Sequence, residues 1–259
     1  MANRPVALVT GASSGIGAAF ARQLAARQHD LVVVDRDREG LESLVKETAA
    51  HDVEAECMVV DLGVSDQLAV VERRLSDPVR RVDILINNAG FSSSGPFHEL
   101  SLDEQMRQIQ VNVVAVVRLT HAALSTMVPR RGGGILNVSS VEGFLPAPGN
   151  ATYSATKAYV TSFTEAVHEE VASVGVRVTC VCPGLTRTEF LERAGVDFSG
   201  LPGFLWMDPD PVAKAGLNCL DRNQALCVPG PHNRVAVEFL QLAPRAIVRR
   251  MAGRFIRPA

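Results

Sequence analysis

Short β-branched apolar runs, separated by helix-length amphipathic stretches, set the strongest limit on how this 259-residue chain can fold. The runs are Val6–Thr10, Leu31–Asp35, Ala55–Asp61, Val82–Asn87, Ile135–Ser139 and Val176–Cys182. They are largely continuous rather than alternating, the pattern of parallel strands covered on both faces. Between them lie Gly17–Gln28, Glu39–Ala50, Asp66–Leu75, Leu102–Met127 and Tyr153–Val174. Ser101 and Glu104 form a capping box for the fourth of these, and Pro129 closes it. Such alternation predicts an α/β fold, an open, doubly wound parallel sheet, because right-handed crossovers bury both of its faces. No repeat or linker divides the chain, so a single domain over residues 1–259 is expected.

Composition narrows the function classes. With 47% apolar and 21% charged residues the chain is an ordinary globular one, which excludes disorder, collagen and coiled coil for the whole. A net charge of −2 argues against nucleic acid as partner. No run approaches the ~18 apolar residues of a spanning helix, the longest being Val111–Val117. The start, Met-Ala-Asn-Arg-Pro, leads directly into Val6–Val9 and leaves no room for a cleaved signal. Five cysteines without a Cys-x-x-Cys pair read as small buried hydrophobes in a reducing, cytoplasmic setting. The six histidines lack ligand spacing, so no metal is expected.

Two constellations carry chemistry. The first strand runs into Gly11-Ala12-Ser13-Ser14-Gly15-Ile16-Gly17 and then a helix. Glycines let the backbone turn tightly against an anion that the free N–H groups of a helix start can meet, and Ser13 and Ser14 add hydroxyl donors. Asp35, at the end of the second run, suits both ribose hydroxyls of an adenosine and repels a 2′-phosphate, while Arg36 would attract that phosphate. NAD is favoured, with NADP as the alternative. The second constellation is Tyr153 and Lys157, a phenol and an ammonium on one helix face. A neighbouring cation lowers the phenol's pKa from about 10, making it a usable acid/base at a carbonyl or alcohol oxygen.

Taken in order, these motifs resemble those of the compact, single-domain short-chain dehydrogenase/reductases. The resemblance also rests on Asp61-Leu62, Asn87-Asn88-Ala89-Gly90, Asn112, Ser139-Ser140 and Pro183-Gly184 with Thr186 and Thr188, and it spans residues 5 to about 188. It implies a Rossmann sheet and an oxidoreductase interconverting a secondary alcohol and a ketone. Tyr153 would be the general acid/base, Ser140 would bond the substrate oxygen, and Ser139 would be structural. Lys157 would hold the nicotinamide ribose and depress the pKa of Tyr153, and Asn112 would anchor a proton-relay water. Asp61 and Leu62 would meet the adenine, Asn88, Ala89 and Gly90 the adenosine ribose, and Pro183, Gly184, Thr186 and Thr188 the nicotinamide side. An idle dinucleotide-binding redox sensor, or an epimerase or lyase using the same tyrosine, are the alternatives.

The chain's end is harder to read. Phe190, Leu191, Phe198, Leu201, Phe204, Leu205, Trp206 and Met207 crowd residues 189–207, either a mobile apolar lid or a satellite core cluster. As a lid it implies a lipophilic alcohol or ketone, sterol-like or acyl-chained, as do Val141, Phe144 and Leu145. A helix starting at Asp208-Pro209, a short strand Ala225–Val228 and a basic helical tail over 235–259, broken at Pro244, complete the chain. The segment Val228–Arg234 departs from the family's usual ending, so a homodimer through Leu102–Met127 and Tyr153–Val174 is expected, with a homotetramer in doubt. The tail's arginines, Arg245, Arg249, Arg250, Arg254 and Arg257, alternate with apolar residues, suiting an interface helix or contact with an anionic membrane surface.

Overall fold

The structure, a computed structural model, describes residues 4–190 and 202–255. Within them lies a parallel sheet ordered β3-β2-β1-β4-β5-β6-β7. Its strands are β1 (Val6–Thr10), β2 (Asp30–Asp35), β3 (Ala55–Val59), β4 (Ile84–Asn87), β5 (Gly133–Val138), β6 (Val176–Val181) and β7 (Leu226–Cys227). The helices are α1 (Gly15–Ala26), α2 (Arg38–Thr48), α3 (Ser65–Leu75), α4 (Leu102–Ile109), α5 (Val116–Met127), α6 (Ala151–Val171), α7 (Pro209–Asp221), α8 (Pro231–Leu242) and α9 (Arg245–Phe255).

Successive residues of each apolar run part to opposite faces, as the pleat demands. Ala7, Val9, Leu31, Val33, Ile84 and Ile86 pack with α1, α2 and α7. Leu8, Val32, Val34, Leu85 and Ile135 pack with α3, α5 and α6 on the other side. The doubly wound arrangement follows, because runs apolar at every position need cover twice. The crossovers diverge between β1 and β4, so loops leaving those strands open a crevice at their carboxyl ends, where ligands of such sheets bind.

Three expectations change. The stretch Leu102–Met127 is long enough, with a mean hydropathy of 1.2, to meet the composition of a spanning helix. It is nevertheless core-packed, with Leu119, Ala122, Ala123 and Met127 buried against the sheet. Nor is it one regular helix: a π turn over Gln110–Ala115 splits it, with Asn112 inside. The cysteines are not uniformly buried, for Cys57 is exposed on β3 at the sheet's edge and Cys219 is half-buried. In the tail, α8 starts before residue 235 because Pro231 fits a first-turn position. Pro244 separates it from α9, whose Val248 and Ala252 are buried while Ile247 and Met251 are exposed.

Candidate active site

A cavity of about 840 Å³ runs along the carboxyl ends of the strands. Its walls include Gly11, Ser13, Ser14, Gly15, Ile16, Asp35 and Arg36 at one end. Asp61 and Leu62, after the edge strand β3, join that end; Asn88, Ala89 and Gly90, after β4, line the middle, and Ser140, Tyr153, Lys157, Pro183, Gly184, Thr186 and Thr188 line the other end. Of the residues expected at the site, Gly17 and Asn112 do not line it.

The glycine loop's shape explains its composition. Gly11 and Gly15 have φ of 64° and 55°, left-handed conformations that cost other residues free energy. At Gly17 a Cβ would stand 2.0 Å from the Gly11 carbonyl oxygen, so Gly17 lets α1 close onto the loop from behind rather than touching a ligand. Ser14, the N-cap residue, makes no side-chain capping bond, and no acid occupies the first turn. The first-turn N–H groups of α1 therefore face the cavity electropositive and uncapped. Ser13 differs from expectation: its N–H and hydroxyl both donate to Asp35 Oδ2, at 3.2 and 2.8 Å. Asp35 Oδ1 accepts from the N–H groups of Arg36 (2.7 Å) and Asp37 (3.2 Å). Asn88 binds the loop to β4, its Nδ2 donating to the carbonyls of Thr10 and Gly11, both at 3.0 Å. Asp61 holds Arg107, a cavity residue the sequence reading missed, through an ion pair of 2.5 Å.

At the other end α6 presents Tyr153 and Lys157 one turn apart, both buried. Lys157 Nζ donates to the Val138 carbonyl at 2.9 Å and lies 5.6 Å from the Tyr153 ring centroid. Burial pushes this ammonium's pKa down to about 8. The expected lowering of the phenol's pKa by Lys157 is not what the site shows. Burial raises it well above the ordinary range, and Glu142's charge adds to the rise. A hydrogen bond with Ser140 pulls the other way. Desolvating a phenolate outweighs a cation that burial itself makes easier to discharge. The Ser140 hydroxyl also accepts the Glu142 N–H at 3.1 Å. Ser139 turns away, its hydroxyl bonded to the Lys157 carbonyl and to Thr161, both at 2.8 Å.

Asn112 stands behind Gly90, its amide oxygen and nitrogen both hydrogen-bonded. Oδ1 accepts the Phe91 N–H at 3.1 Å, and Nδ2 donates to the Phe91 carbonyl (3.0 Å) and to Thr156 Oγ1 (3.2 Å). The amide thus clamps the loop after β4. Gly90 makes the approach possible: a Cβ there would lie 3.1 Å from Asn112 Oδ1 and 3.5 Å from Lys157 Nζ.

Residues 5–197 match the family model described as short chain dehydrogenase. The chain belongs to the short-chain dehydrogenase family. It is similar to the solved short-chain dehydrogenase from Sphingobium yanoikuyae in complex with NADPH: 38% identity, TM-score 0.85, 94% of each chain covered. The bulky-bulky ketone specific alcohol dehydrogenase from Comamonas testosteroni shares 31% identity at a TM-score of 0.80, over 98% of this chain and 100% of that one. A 3-oxoacyl-[acyl-carrier-protein] reductase of Synechocystis is 35% identical over 211 residues, 80% of this chain and 85% of the relative. This family member is accordingly an NAD(P)-dependent oxidoreductase acting on CH–OH or carbonyl groups.

The substrate end departs from an all-apolar expectation. Val141, Leu185 and Phe190 line it, with the Phe190 ring 5.6 Å from that of Tyr153. Ser92, Ser93, Ser94 and Glu142 line it as well. Phe144 packs instead against Cys180, Cys182 and Val228, and neither it nor Leu145 reaches the cavity. Leu191, Phe198 and Leu201 lie outside the described residues, as does the Phe204 side chain. Met207 belongs to the core, bridging to Thr186 and packing on the α1–α7 face. The one signal for the polar side was Glu142, a lone charge within Val141–Leu145.

Proposed function

We propose that this enzyme interconverts a ketone and a secondary alcohol with a sizeable apolar body, Tyr153 serving as general acid/base. The observation carrying this reading is a single cavity lined by the glycine loop at one end and by Ser140, Tyr153 and Lys157 at the other. A dinucleotide fits this chain's own features: two positive-φ glycines leave room for a pyrophosphate, and the α1 N-terminus offers uncapped donors. Gly11, Ser14, Gly15 and Ile16 would hold the phosphates, Asp61 and Leu62 the adenine, and Lys157 with Thr186 and Thr188 the nicotinamide half. When bound, the nicotinamide supplies or takes up the hydride.

The protein's share is position and protons. Ser140 and Tyr153 hold the substrate oxygen between two hydroxyls, and the phenol donates its proton there as a carbonyl becomes an alcohol. A phenol held above its ordinary pKa rests protonated at neutral pH, the state that serves ketone reduction. Proton return through Lys157 would run past Asn112, whose Oδ1 keeps a second acceptor position.

On the carrier, we read the site as taking NADP as readily as NAD. Asp35 is already held by four donors from Ser13, Arg36 and Asp37. Arg36 is exposed at the cavity's rim, with no ion-pair partner among the described residues, and can meet a 2′-phosphate. The relative holding NADPH supports this reading. Exposed Leu102 and Met106 on α4 suit the homodimer expected there.

The test follows absorbance at 340 nm with NADH and with NADPH against bulky aryl and steroidal ketones. Net coenzyme oxidation is expected with both carriers. Substrate epimerisation without net oxidation would replace this reading with the epimerase one.

A further inference from the structure

Among the described residues, Glu142 is the carboxylate whose charge bears on the acid/base tyrosine, in the substrate half of the cavity. It lies two residues after Ser140, lines the same wall, and its charge is felt by the Tyr153 phenol. Burial raises its own pKa, so its surroundings supply less solvation than water would. Its one side-chain partner among the described residues is Asn150, whose Nδ2 donates to Glu142 Oε2 at 3.3 Å. Asn150 is fixed from behind, its Oδ1 accepting the Ser94 hydroxyl at 2.6 Å and the Ser92 hydroxyl at 3.2 Å. A carboxylate has about four acceptor positions, and this one uses a single long bond while facing the cavity. Its unused acceptor capacity therefore lies where a substrate sits, in a cavity that Val141, Leu185 and Phe190 also line.

We propose that Glu142 is a specificity-determining residue: it selects ketones bearing a hydroxyl or ammonium close to the reacting carbonyl and rejects those bearing a carboxylate there. The inference rests on the ketone–alcohol reading above and deepens it. A donor on the substrate satisfies the half-bonded carboxylate. An alkyl group leaves it unpaired in a desolvated wall, and a second carboxylate adds like-charge repulsion. The apolar wall takes the substrate's body, giving an amphipathic rather than uniformly lipophilic substrate.

The test uses three ketones that share a phenyl anchor and differ beside the carbonyl: 2-hydroxyacetophenone, propiophenone and benzoylformate. For the wild type, kcat/KM is expected to favour the hydroxyl over the ethyl compound by roughly tenfold or more, with benzoylformate the poorest. Glu142→Gln keeps an acceptor but removes the charge; it should raise benzoylformate turnover while preserving the hydroxyl preference. Glu142→Leu should bring hydroxyl and ethyl compounds within about threefold of each other. NADPH affinity, read by fluorescence titration, should stay at the wild-type value in both variants, which also certifies their fold. If Glu142→Leu does not fold, the benzoylformate change in Glu142→Gln decides alone. Equal wild-type turnover of all three ketones, or ratios indifferent to the substitutions, overturns the role of Glu142 and leaves the ketone reductase standing. Absence of turnover with all three, under conditions where NADPH binds, overturns both.

Discussion

The two halves of the cavity are built by different means. The coenzyme half is made of backbone: two left-handed glycines, the end of β1, the start of α1 and the loop after β4. The substrate half is made of side chains carried by separate segments: Ser92 and Ser94 after β4, Glu142 after β5, Leu185 and Phe190 after β6. A backbone-built site answers to conformation, so it tolerates few residues at fixed spacing. A site built from side chains answers to chemistry and can change partner by partner while the fold stays constant. The relatives are consistent with this division, since a ketone-specific alcohol dehydrogenase and an acyl-carrier reductase resemble one chain.

The sharpest way to separate the halves is at their seam. Tyr153→Phe removes the proton donor and little else, since the ring and its contact with Phe190 remain. Ketone reduction should fall about 1,000-fold, with coenzyme affinity kept. A loss shared equally by both would join the tyrosine to the coenzyme half and end its role as acid/base.

Lys157 belongs to both halves, and its substitution should set activity against stability. With its pKa pushed from 10.5 down to about 8 by burial, keeping the ammonium charged near pH 7 costs the folded state about 3 kcal/mol. Losing its bond to the Val138 carbonyl costs about 1 kcal/mol. Lys157→Met should therefore reduce kcat/KM about 100-fold without lowering the melting temperature at pH 7. The sign is fixed by linkage. Between about pH 8 and pH 10.5 the folded protein binds fewer protons at this site than the unfolded chain. Stability from this group thus rises with pH through that window, and the variant's relative gain should shrink as pH rises. A variant markedly less stable than wild type at pH 7 would mean that the buried charge is better solvated than its surroundings suggest.

What the sequence made legible follows the same line. Strand cores, the glycine loop and the Tyr153–Lys157 turn repeat patterns set by local geometry, and the doubly wound sheet follows from unbroken apolar runs. Asn112 is a poor helix residue inside the otherwise apolar Val111–Val117, yet only the folded chain shows it inside a π turn clamping Phe91. Ser92 and Ser94 had no such signal, and Glu142 stood out only as a lone charge, because the three meet through Asn150, a residue distant from the serines in sequence. Phe144 and Leu145 looked like pocket lining for the same reason that Val141 did, since position along a loop does not tell which way a side chain turns.

Gly17→Ala attacks the coenzyme half without touching the cavity. A Cβ there would stand 2.0 Å from the Gly11 carbonyl oxygen and 2.5 Å from Asn88 Nδ2, the group that ties the loop to β4. Overpacking of that kind costs about 2 kcal/mol, or roughly 6 °C in melting temperature for a chain of this size. Coenzyme affinity should drop as the loop moves, while relative rates among ketones at saturating coenzyme stay fixed. Altered ketone preference in this variant would show the halves to be coupled.

The smallest effect concerns the carrier. Arg36→Ala should weaken NADPH about tenfold through loss of a charge-assisted contact, with NADH affinity nearly unchanged. Asp35→Ala should act oppositely, costing NADH more than NADPH, because it also removes a negative charge that repels a 2′-phosphate. Direct titration of both variants with both carriers gives four affinities. If each variant loses the two carriers equally, the choice of phosphate is made by residues other than these two, and the backbone-built half holds the dinucleotide without discriminating its 2′ position.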